Sequence, residues 1–265
     1  MPHPASIIAK PASAASLTVL SAWAIEGLTH GFMGRPGGVS TGVYASLNLA
    51  EWNGDEPAAV AENWRRWRFA YPRFTVARLS QVHGTMVHRV EASWGAARRA
   101  GDGMVTAETG VALGIFSADC VPILMVDAER RIVGAIHAGW RGTIAGIAGE
   151  AVRAMAALGA RPASMRAALG PSIGLCCFEV DALLADDFAR QIPGARDHCR
   201  AGRPGKAYLD LRAIIRGQLE RAGLDPTAIA NVGPCTRCAA EGYFSRRAAG
   251  GAVSGLQMSF IGFAR

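Results

Sequence analysis

Residues 111–137, VALGIFSADCVPILMVDAERRIVGAIH, are the most strand-like part of the chain and decide its fold. Three apolar runs of strand length occur here: Val111–Phe116, Val121–Val126 and Ile132–His137. The polar segment Asp127–Arg131 is short enough to be a hairpin connection between the last two runs. The stretch therefore predicts three strands, the last two of which form a hairpin.

Helical segments and further short strands alternate on both sides of this stretch. Four segments are predicted to be helices: Glu56–Phe69, Thr143–Leu158, Ala182–Gln191 and Asp210–Ala222. Four more are predicted to be strands: Thr75–Ser80, Met86–Val90, Arg166–Leu169 and Met258–Phe263. This pattern favours an α/β fold with mixed β-sheets flanked by helices over a doubly wound parallel sheet. No G-x-G-x-x-G or Walker A motif occurs, which disfavours a Rossmann or P-loop cofactor site.

The overall composition is that of a globular chain. Of its 265 residues, 50% are hydrophobic and 18% are charged, which excludes general disorder. We expect one catalytic domain over residues 25–265, preceded in residues 1–24 by a variable, loosely ordered tail and a first strand. No apolar run approaches the roughly 20 residues of a membrane helix, and no clear secretory cleavage site occurs. A cytoplasmic protein without a membrane partner is expected, as a monomer or a small homo-oligomer.

Arginine supplies nearly all of the positive charge behind the formal net charge of +7. Nucleic-acid-binding proteins usually concentrate such charge along one element with interleaved aromatic residues, and no motif of that kind occurs. We therefore expect no nucleic-acid partner. Solvated helix faces account for most of the charge. The remaining interpretation is an anionic small substrate, because arginine suits bidentate contacts with phosphate.

Three residues with metal-binding side chains lie where predicted strands give way to turns. His83 precedes a glycine, Cys120 lies at the break between two apolar strands, and His137 ends a strand. Two imidazoles and one thiolate make a three-ligand zinc shell with a fourth position for water or substrate. The three match no local zinc motif, so spacing alone leaves a structural role open. It also leaves open a nucleophilic pair of Cys120 with either histidine.

The other cysteines form no complete zinc motif. Cys235 and Cys238 make a single C-x-x-C, and Cys176 and Cys177 are adjacent, which makes joint ligation of one ion difficult. Core packing is the expected role of these four.

Several polar residues near the same turns suggest a substrate pocket. Arg35 adjoins a Gly-rich loop, and Asn48 lies between apolar residues. Arg141 belongs to the turn that opens a helix, whose N-terminal amides favour an anion. Arg246 follows two aromatic residues and a serine. Together these residues predict a pocket that holds a phosphate group and stacks a flat ring.

Three segments resemble, in order, the motifs of the YfiH family: Leu79–Gly84, Ser117–Pro122 and His137–Gly142. Residues 169–174 and 244–245 extend the resemblance, and the string HAGWRG at 137–142 is highly specific. Members are also described as laccase-domain or polyphenol oxidase proteins, peptidoglycan editing factors and purine nucleoside phosphorylases.

The resemblance implies a YfiH-like mixed α/β fold, with zinc, or copper as the alternative, bound by His83, Cys120 and His137. It implies phosphorolysis of adenosine, inosine, guanosine or methylthioadenosine to a base and ribose 1-phosphate, with adenosine deamination as a second activity. Nucleoside and phosphate are thus the expected partners. Asp119 would join the three metal-binding residues in catalysis. Substrate contacts are expected from five residues: Arg35, Asn48, Gln81, Arg141 and Arg246.

Two positions depart from the family pattern. Gly34 precedes Arg35 where the family usually has threonine, and Leu256 follows Gly255 where it usually has arginine. The laccase name also fits the sequence poorly, because blue multicopper oxidases use several His-x-His pairs and the six histidines here include none. A copper-dependent polyphenol oxidase and a Cys120 hydrolase that edits peptidoglycan precursors therefore rank below phosphorolysis.

Overall fold

The computed structural model describes residues 17–95 and 97–265, so most of the predicted tail lies outside the described residues. The described residues form sixteen strands, in chain order: β1 (Leu17–Thr18), β2 (Leu28–Met33), β3 (Thr75–Ala77), β4 (Leu79–Ser80), β5 (Val87–Arg89), β6 (Arg99–Ala100), β7 (Gly103–Thr106), β8 (Val111–Ser117), β9 (Val121–Asp127), β10 (Ile132–Ala138), β11 (Met165–Leu169), β12 (Glu179–Asp181), β13 (Cys199–Ala201), β14 (Lys206–Leu209), β15 (Ile229–Asn231) and β16 (Gln257–Phe263). They also form five α-helices: α1 (Pro57–Ala70), α2 (Trp140–Ile144), α3 (Ile147–Ala157), α4 (Ala182–Gln191) and α5 (Leu211–Arg221). Within these residues, no helix has the length and apolarity of a membrane span.

Two large sheets form the centre of the fold. One has five strands in the order β1-β2-β16-β8-β3, and the other has six in the order β15-β11-β9-β10-β7-β5. Each sheet combines antiparallel and parallel pairs, for example β9 with β10 and β11 with β15. Two small sheets, β12-β14-β13 and β4-β6, complete the architecture. The prediction of mixed β-sheets flanked by helices is confirmed.

The strands of the 111–137 stretch are buried over their whole length because both faces of each are covered. Side chains alternate between the two faces of a strand, so Ile123 packs toward α3 and α5 while Leu124 packs between the two large sheets. On the outer face of the five-stranded sheet, Trp64 and Trp67 of α1 pack against Phe260. The resulting four layers explain why these strands are continuously apolar.

The predicted helix Thr143–Leu158 is in fact two helices. α2 ends at Ile144, α3 begins at Ile147, and Gly146 lies between them with φ 86°. Other residues seldom adopt this left-handed conformation. The apolar spacing continues through the break, so the pattern does not reveal it. The predicted strand Thr75–Ser80 is likewise divided, into β3 and β4, which belong to different sheets.

His30 on β2 makes the stability of the fold pH-dependent. The ring is buried, its centroid lies 5.0 Å from that of Trp23, and its Nε2 accepts a hydrogen bond of 3.1 Å from the Leu20 amide. Burial lowers the pKa of His30 from 6.5 to about 4. Since the unfolded chain takes up this proton at higher pH than the folded chain, stability falls as the pH decreases through this window.

Replacing His30 with glutamine is expected to remove this acid-dependent loss, which reaches about 3 kcal/mol near pH 4. Urea unfolding at pH 7 and near pH 4 measures it, because the difference between the two free energies of unfolding should be about 3 kcal/mol smaller in the variant than in the wild type. His198→Gln is the control, since His198 makes none of these contacts. Equal losses in the wild type and the His30 variant would contradict the assignment.

Candidate active site

His83, Cys120 and His137 meet where β10 ends and β9 begins. His83 follows β4, Cys120 lies in the connection from β8 to β9, and His137 is paired with Pro122 across the β9–β10 ladder. Their ligand atoms all lie within 4.8 Å of one another, and the two imidazole centroids are 4.9 Å apart. The structure thus brings the three predicted ligands together, although they are far apart in the chain.

The backbone around the cluster has conformations that permit this approach. His83 and Asp119 have left-handed φ values of 61° and 90°, which are uncommon for residues other than glycine. A Cβ at Gly139 would lie 2.9 Å from the Cδ2 of His83 and 3.1 Å from the Sγ of Cys120. Glycine at this position therefore lets both side chains approach the start of α2.

Asp102, a residue that no motif singled out, lies behind the cluster and organises it. Its fully buried carboxylate accepts hydrogen bonds from the amides of Val82, His83 and Gly84, at 3.2, 2.9 and 2.7 Å. The same carboxylate lies 2.9 Å from the Nδ1 of His137, which leaves Nε2 for a metal. The only sequence signal was an acidic residue between two glycines, a pattern that ordinary turns share.

The charges of the cluster favour a thiolate at Cys120. Burial opposes its ionisation most strongly, but the charges and hydrogen bonds of His137 and His83 together lower the pKa of the thiol to about 6. Burial also acts against protonation of His137, yet Cys120 and Asp102 raise the pKa of the imidazole to about 9. The surrounding charges therefore favour the thiolate of Cys120, the form that zinc binds.

The donor set fits a metal ion. Two imidazoles and a thiolate within 4.8 Å match a three-ligand zinc site, and Asp102 supplies the carboxylate partner that metal-bound histidines usually have. The same donors suit copper, so the cluster alone does not determine the metal.

A cavity of about 460 Å³ opens beside the cluster, and its wall includes all three candidate ligands with Gln81 and Arg246. Trp52, 39% exposed, adds an aromatic surface to the wall. The Oγ of Ser117, also in the wall, is buried without a hydrogen-bond partner. A polar ligand in the cavity would supply the partner that this hydroxyl lacks.

Three of the predicted substrate residues do not line this cavity. Asn48 is fully buried, and its amide bonds to neighbours that include Asp55 and the amide of Leu256. Arg35 donates to the carbonyls of Ala45 and Ala240. Arg141 is exposed, with its guanidinium over the Trp140 ring. Their role in substrate binding stays a prediction.

Gln81 lies in the wall, but its side-chain amide bridges the backbone of Phe116. Nε2 donates to the Phe116 carbonyl at 2.7 Å, and Oε1 accepts from the Phe116 amide at 2.8 Å. The side chain therefore attaches the turn before His83 to the end of β8.

Asp119, the predicted fourth catalytic residue, binds the chain segment that carries Arg246. Its Oδ1 accepts a hydrogen bond from the Thr236 hydroxyl at 2.6 Å, and its Oδ2 accepts one from the Arg247 amide at 2.8 Å. These bonds join the Cys120 turn to the opposite wall of the cavity.

A second cavity, of about 660 Å³, lies beyond the His83 turn and is lined in part by Glu150 and Arg153. These two side chains pair with each other at 2.5 Å, and none of the residues in this wall is a histidine or cysteine. The smaller cavity is therefore the candidate active site.

The chain is similar to known proteins over most of its length. A family model described as "Multi-copper polyphenol oxidoreductase laccase" matches residues 29–264. A purine nucleoside phosphorylase of Deinococcus radiodurans is 39% identical over 243 residues, which cover 89% of each chain. The crystal structure of YlmD from Geobacillus stearothermophilus has a TM-score of 0.89 at 32% identity, covering 99% of this chain and 100% of that one. The crystal structure of Bacillus licheniformis YfiH has a TM-score of 0.87 at 30% identity, covering 93% of this chain and 96% of that one.

Proposed function

The chain belongs to the laccase-like YfiH family, and we propose that it is a zinc-dependent purine nucleoside phosphorylase. The observation that carries the proposal is a cavity lined by a metal-binding cluster, an aromatic side chain and an arginine. The 39% identity to a purine nucleoside phosphorylase supports the reaction class. The proposed substrates are adenosine, inosine, guanosine and methylthioadenosine, and adenosine deamination is the proposed second activity.

The cavity has the size and chemistry for a nucleoside. Its volume of about 460 Å³ lies in the usual range for small-molecule sites. The partly exposed indole of Trp52 offers an aromatic surface to the purine, and its ring lies 5.0 Å from Phe116 in an edge-on contact. The Ser117 hydroxyl then bonds to a polar atom of the nucleoside.

Arg246 is the residue that we assign to phosphate. Its Nε donates to the Gly251 carbonyl at 3.1 Å, which holds the side chain at the wall, and its terminal nitrogens suit bidentate phosphate binding. Leu256, where the family usually has arginine, lines the same cavity. Because leucine cannot bind phosphate, more of the phosphate binding falls to Arg246. Arg35 and Arg141 do not line the cavity, and their contact with phosphate stays a proposal.

The reaction breaks the bond between C1′ of ribose and the base nitrogen, and a phosphate oxygen forms the new bond to C1′. The base leaves with the electron pair of the broken bond and takes up a proton from solvent. Holding phosphate and nucleoside in one cavity supplies the orientation that this displacement needs.

His83, Cys120 and His137 would hold the zinc ion, which supplies a Lewis acid of the kind that adenosine deamination also requires. Asp102 accepts the Nδ1 proton of His137 in a hydrogen bond and so directs Nε2 at the cluster. We propose a positioning role for Asp119, since both of its carboxylate oxygens bond to the segment that carries Arg246.

Purified protein is expected to release adenine from adenosine and hypoxanthine from inosine only when phosphate is present, as measured by chromatography. Arg246→Ala should raise the KM for phosphate by about tenfold, the effect of losing roughly 1.4 kcal/mol of binding. Arg153→Ala is the matched control, because Arg153 is an exposed arginine paired with Glu150 outside this cavity. Base release that is independent of phosphate, or none from zinc-loaded protein, would contradict phosphorolysis.

A hydrolase with Cys120 as nucleophile is the second candidate, because Cys120, His137 and Asp102 also have the order of a nucleophile, base and orienting carboxylate. Peptidoglycan precursors are its proposed substrates. A thiol-alkylating reagent would then abolish activity without displacing metal.

A copper-dependent polyphenol oxidase is the third candidate, and the description of the family model favours it. Among the described residues, however, histidines enter only one metal-binding cluster. Copper-dependent oxygen uptake with a phenol would support this candidate.

A further inference from the structure

Four cysteines that the proposed reaction does not use converge at a second position. Cys176 and Cys177 lie between β11 and β12, whereas Cys235 and Cys238 lie between β15 and β16. Their sulfur atoms all lie within 4.8 Å of one another, and the Sγ of Cys238 is 3.4 Å from that of Cys177 and 3.6 Å from that of Cys176. The expectation of core packing is wrong for Cys176 and Cys238, which are exposed.

The separations of 3.4 and 3.6 Å are close to those of ligands around one tetrahedral ion. Zinc bonded to four thiolates at about 2.3 Å places the sulfur atoms roughly 3.8 Å apart. The adjacency of Cys176 and Cys177 does not prevent their joint approach, because both sulfur atoms reach Cys238. We propose that Cys176, Cys177, Cys235 and Cys238 bind a structural zinc ion, separate from the metal of the active site.

The surroundings of the four sulfurs suit an anionic zinc–thiolate centre. The amide of Gly174 donates to the Sγ of Cys235 at 3.2 Å, an N–H···S contact of the kind that orients metal-bound thiolates. Gly174 adjoins both the cluster and Arg212. A Cβ built on Gly174 would lie 3.5 Å from the Sγ of Cys176 and 3.7 Å from a guanidinium nitrogen of Arg212. Arg247 donates to the Cys177 carbonyl at 3.2 Å. The two guanidinium groups offset the net negative charge of a divalent ion with four thiolates.

The ion would join two connections that form part of the active-site framework. Thr236, between Cys235 and Cys238, donates its hydroxyl to Asp119, and its amide bonds to the Ser172 carbonyl at 3.0 Å. Arg246 lies in the same connection as Cys235 and Cys238. None of the four cysteines lines the catalytic cavity. The zinc therefore stabilises the wall that carries Arg246 without touching the substrate.

The zinc content of full-length protein, purified under reducing conditions, tests the proposal independently of activity. Mass spectrometry of the metal should find about two zinc ions per chain in the wild type and about one in Cys120→Ala, which keeps the four-thiolate site. Cys120→Ala with Cys238→Ser should lose the remaining ion, whereas Cys120→Ala with Cys199→Ser should keep it, since Cys199 belongs to neither cluster. A Cys120→Ala protein without zinc, or with iron in its place, would overturn the proposal.

Alkylation of the wild type provides a test that does not depend on the folding of any variant. Bound zinc should protect the exposed Cys176 and Cys238 thiols, and a chelator should increase their alkylation at least about tenfold, as mapped by peptide mass spectrometry. Equal alkylation with and without chelator would overturn the proposal. So would a disulfide among the four in the reduced preparation. Either failure leaves the phosphate-dependent release of base to be judged separately.

Discussion

Replacing Cys120 with alanine is expected to lower kcat/KM for phosphorolysis by about 10³-fold and to empty the active-site metal position. Metal ions contribute several kcal/mol to such reactions, and each 1.36 kcal/mol is a factor of ten in rate. Cys120 is the thiolate of the cluster, so its loss leaves two imidazoles, too few ligands for a closed protein shell. Steady-state kinetics with inosine and phosphate, together with zinc analysis, measures the effect.

The control for this variant is Cys199→Ala, which removes a partly buried free thiol outside both clusters. It should leave activity and zinc content unchanged. If Cys120→Ala kept its activity and its metal content, the assignment of the active-site ligands would be wrong. If it lost activity but kept all of its zinc, the Cys120 nucleophile would be favoured instead.

Asp102→Ala is expected to lower the free energy of unfolding by about 3 kcal/mol, because it leaves three backbone amides and the buried ring of His137 without their acceptor. The affinity of the active site for zinc should also fall, by about 10- to 100-fold, since Asp102 is the carboxylate that orients His137. Urea unfolding and competition with a chromophoric zinc chelator measure the two effects.

Asp127→Ala is the matched control, because Asp127 is also a fully buried carboxylate but lies at the end of β9 that is remote from the metal-binding cluster. Asp127 accepts hydrogen bonds from the Arg161 amide at 2.9 Å and the Ser164 hydroxyl at 3.0 Å. Its removal should destabilise the fold by a similar amount but leave the zinc affinity unchanged. Equal zinc affinities for the two variants would show that Asp102 acts on folding alone.

The two metal positions, as proposed, are linked through Asp119. This residue adjoins Cys120 in the chain and accepts a hydrogen bond from Thr236, which lies between two of the four clustered cysteines. A structural ion on one side of the cavity wall and a catalytic ion on the other would together limit the motion of the loop that carries Arg246. The position of Arg246 in the cavity wall would then depend on Asp119 and Thr236, which lie outside that wall.

Much of the two large sheets could be predicted from the sequence, because a continuous apolar run of strand length is a local property. The apolar runs at 111–116, 121–126 and 132–137 correspond to β8, β9 and β10 almost residue for residue. The division of the helix at Gly146 was missed, since the apolar spacing continues through it while the backbone does not. The split of residues 75–80 between two sheets was missed because strand partners are chosen through space.

The mixed α/β class follows from the sequence alone, since strand and helix patterns are local, and the three candidate ligands follow from the resemblance of the sequence to the YfiH family. The folded structure was needed to show that Asp102 organises His83 and His137. It also showed that Trp52 and Ser117 line the cavity, whereas Arg35, Asn48 and Arg141 do not. It also decided that Cys176 and Cys177 meet Cys235 and Cys238. Hydrogen bonds and metal sites depend on distances between side chains from remote segments, and those distances exist only after the sheets have paired.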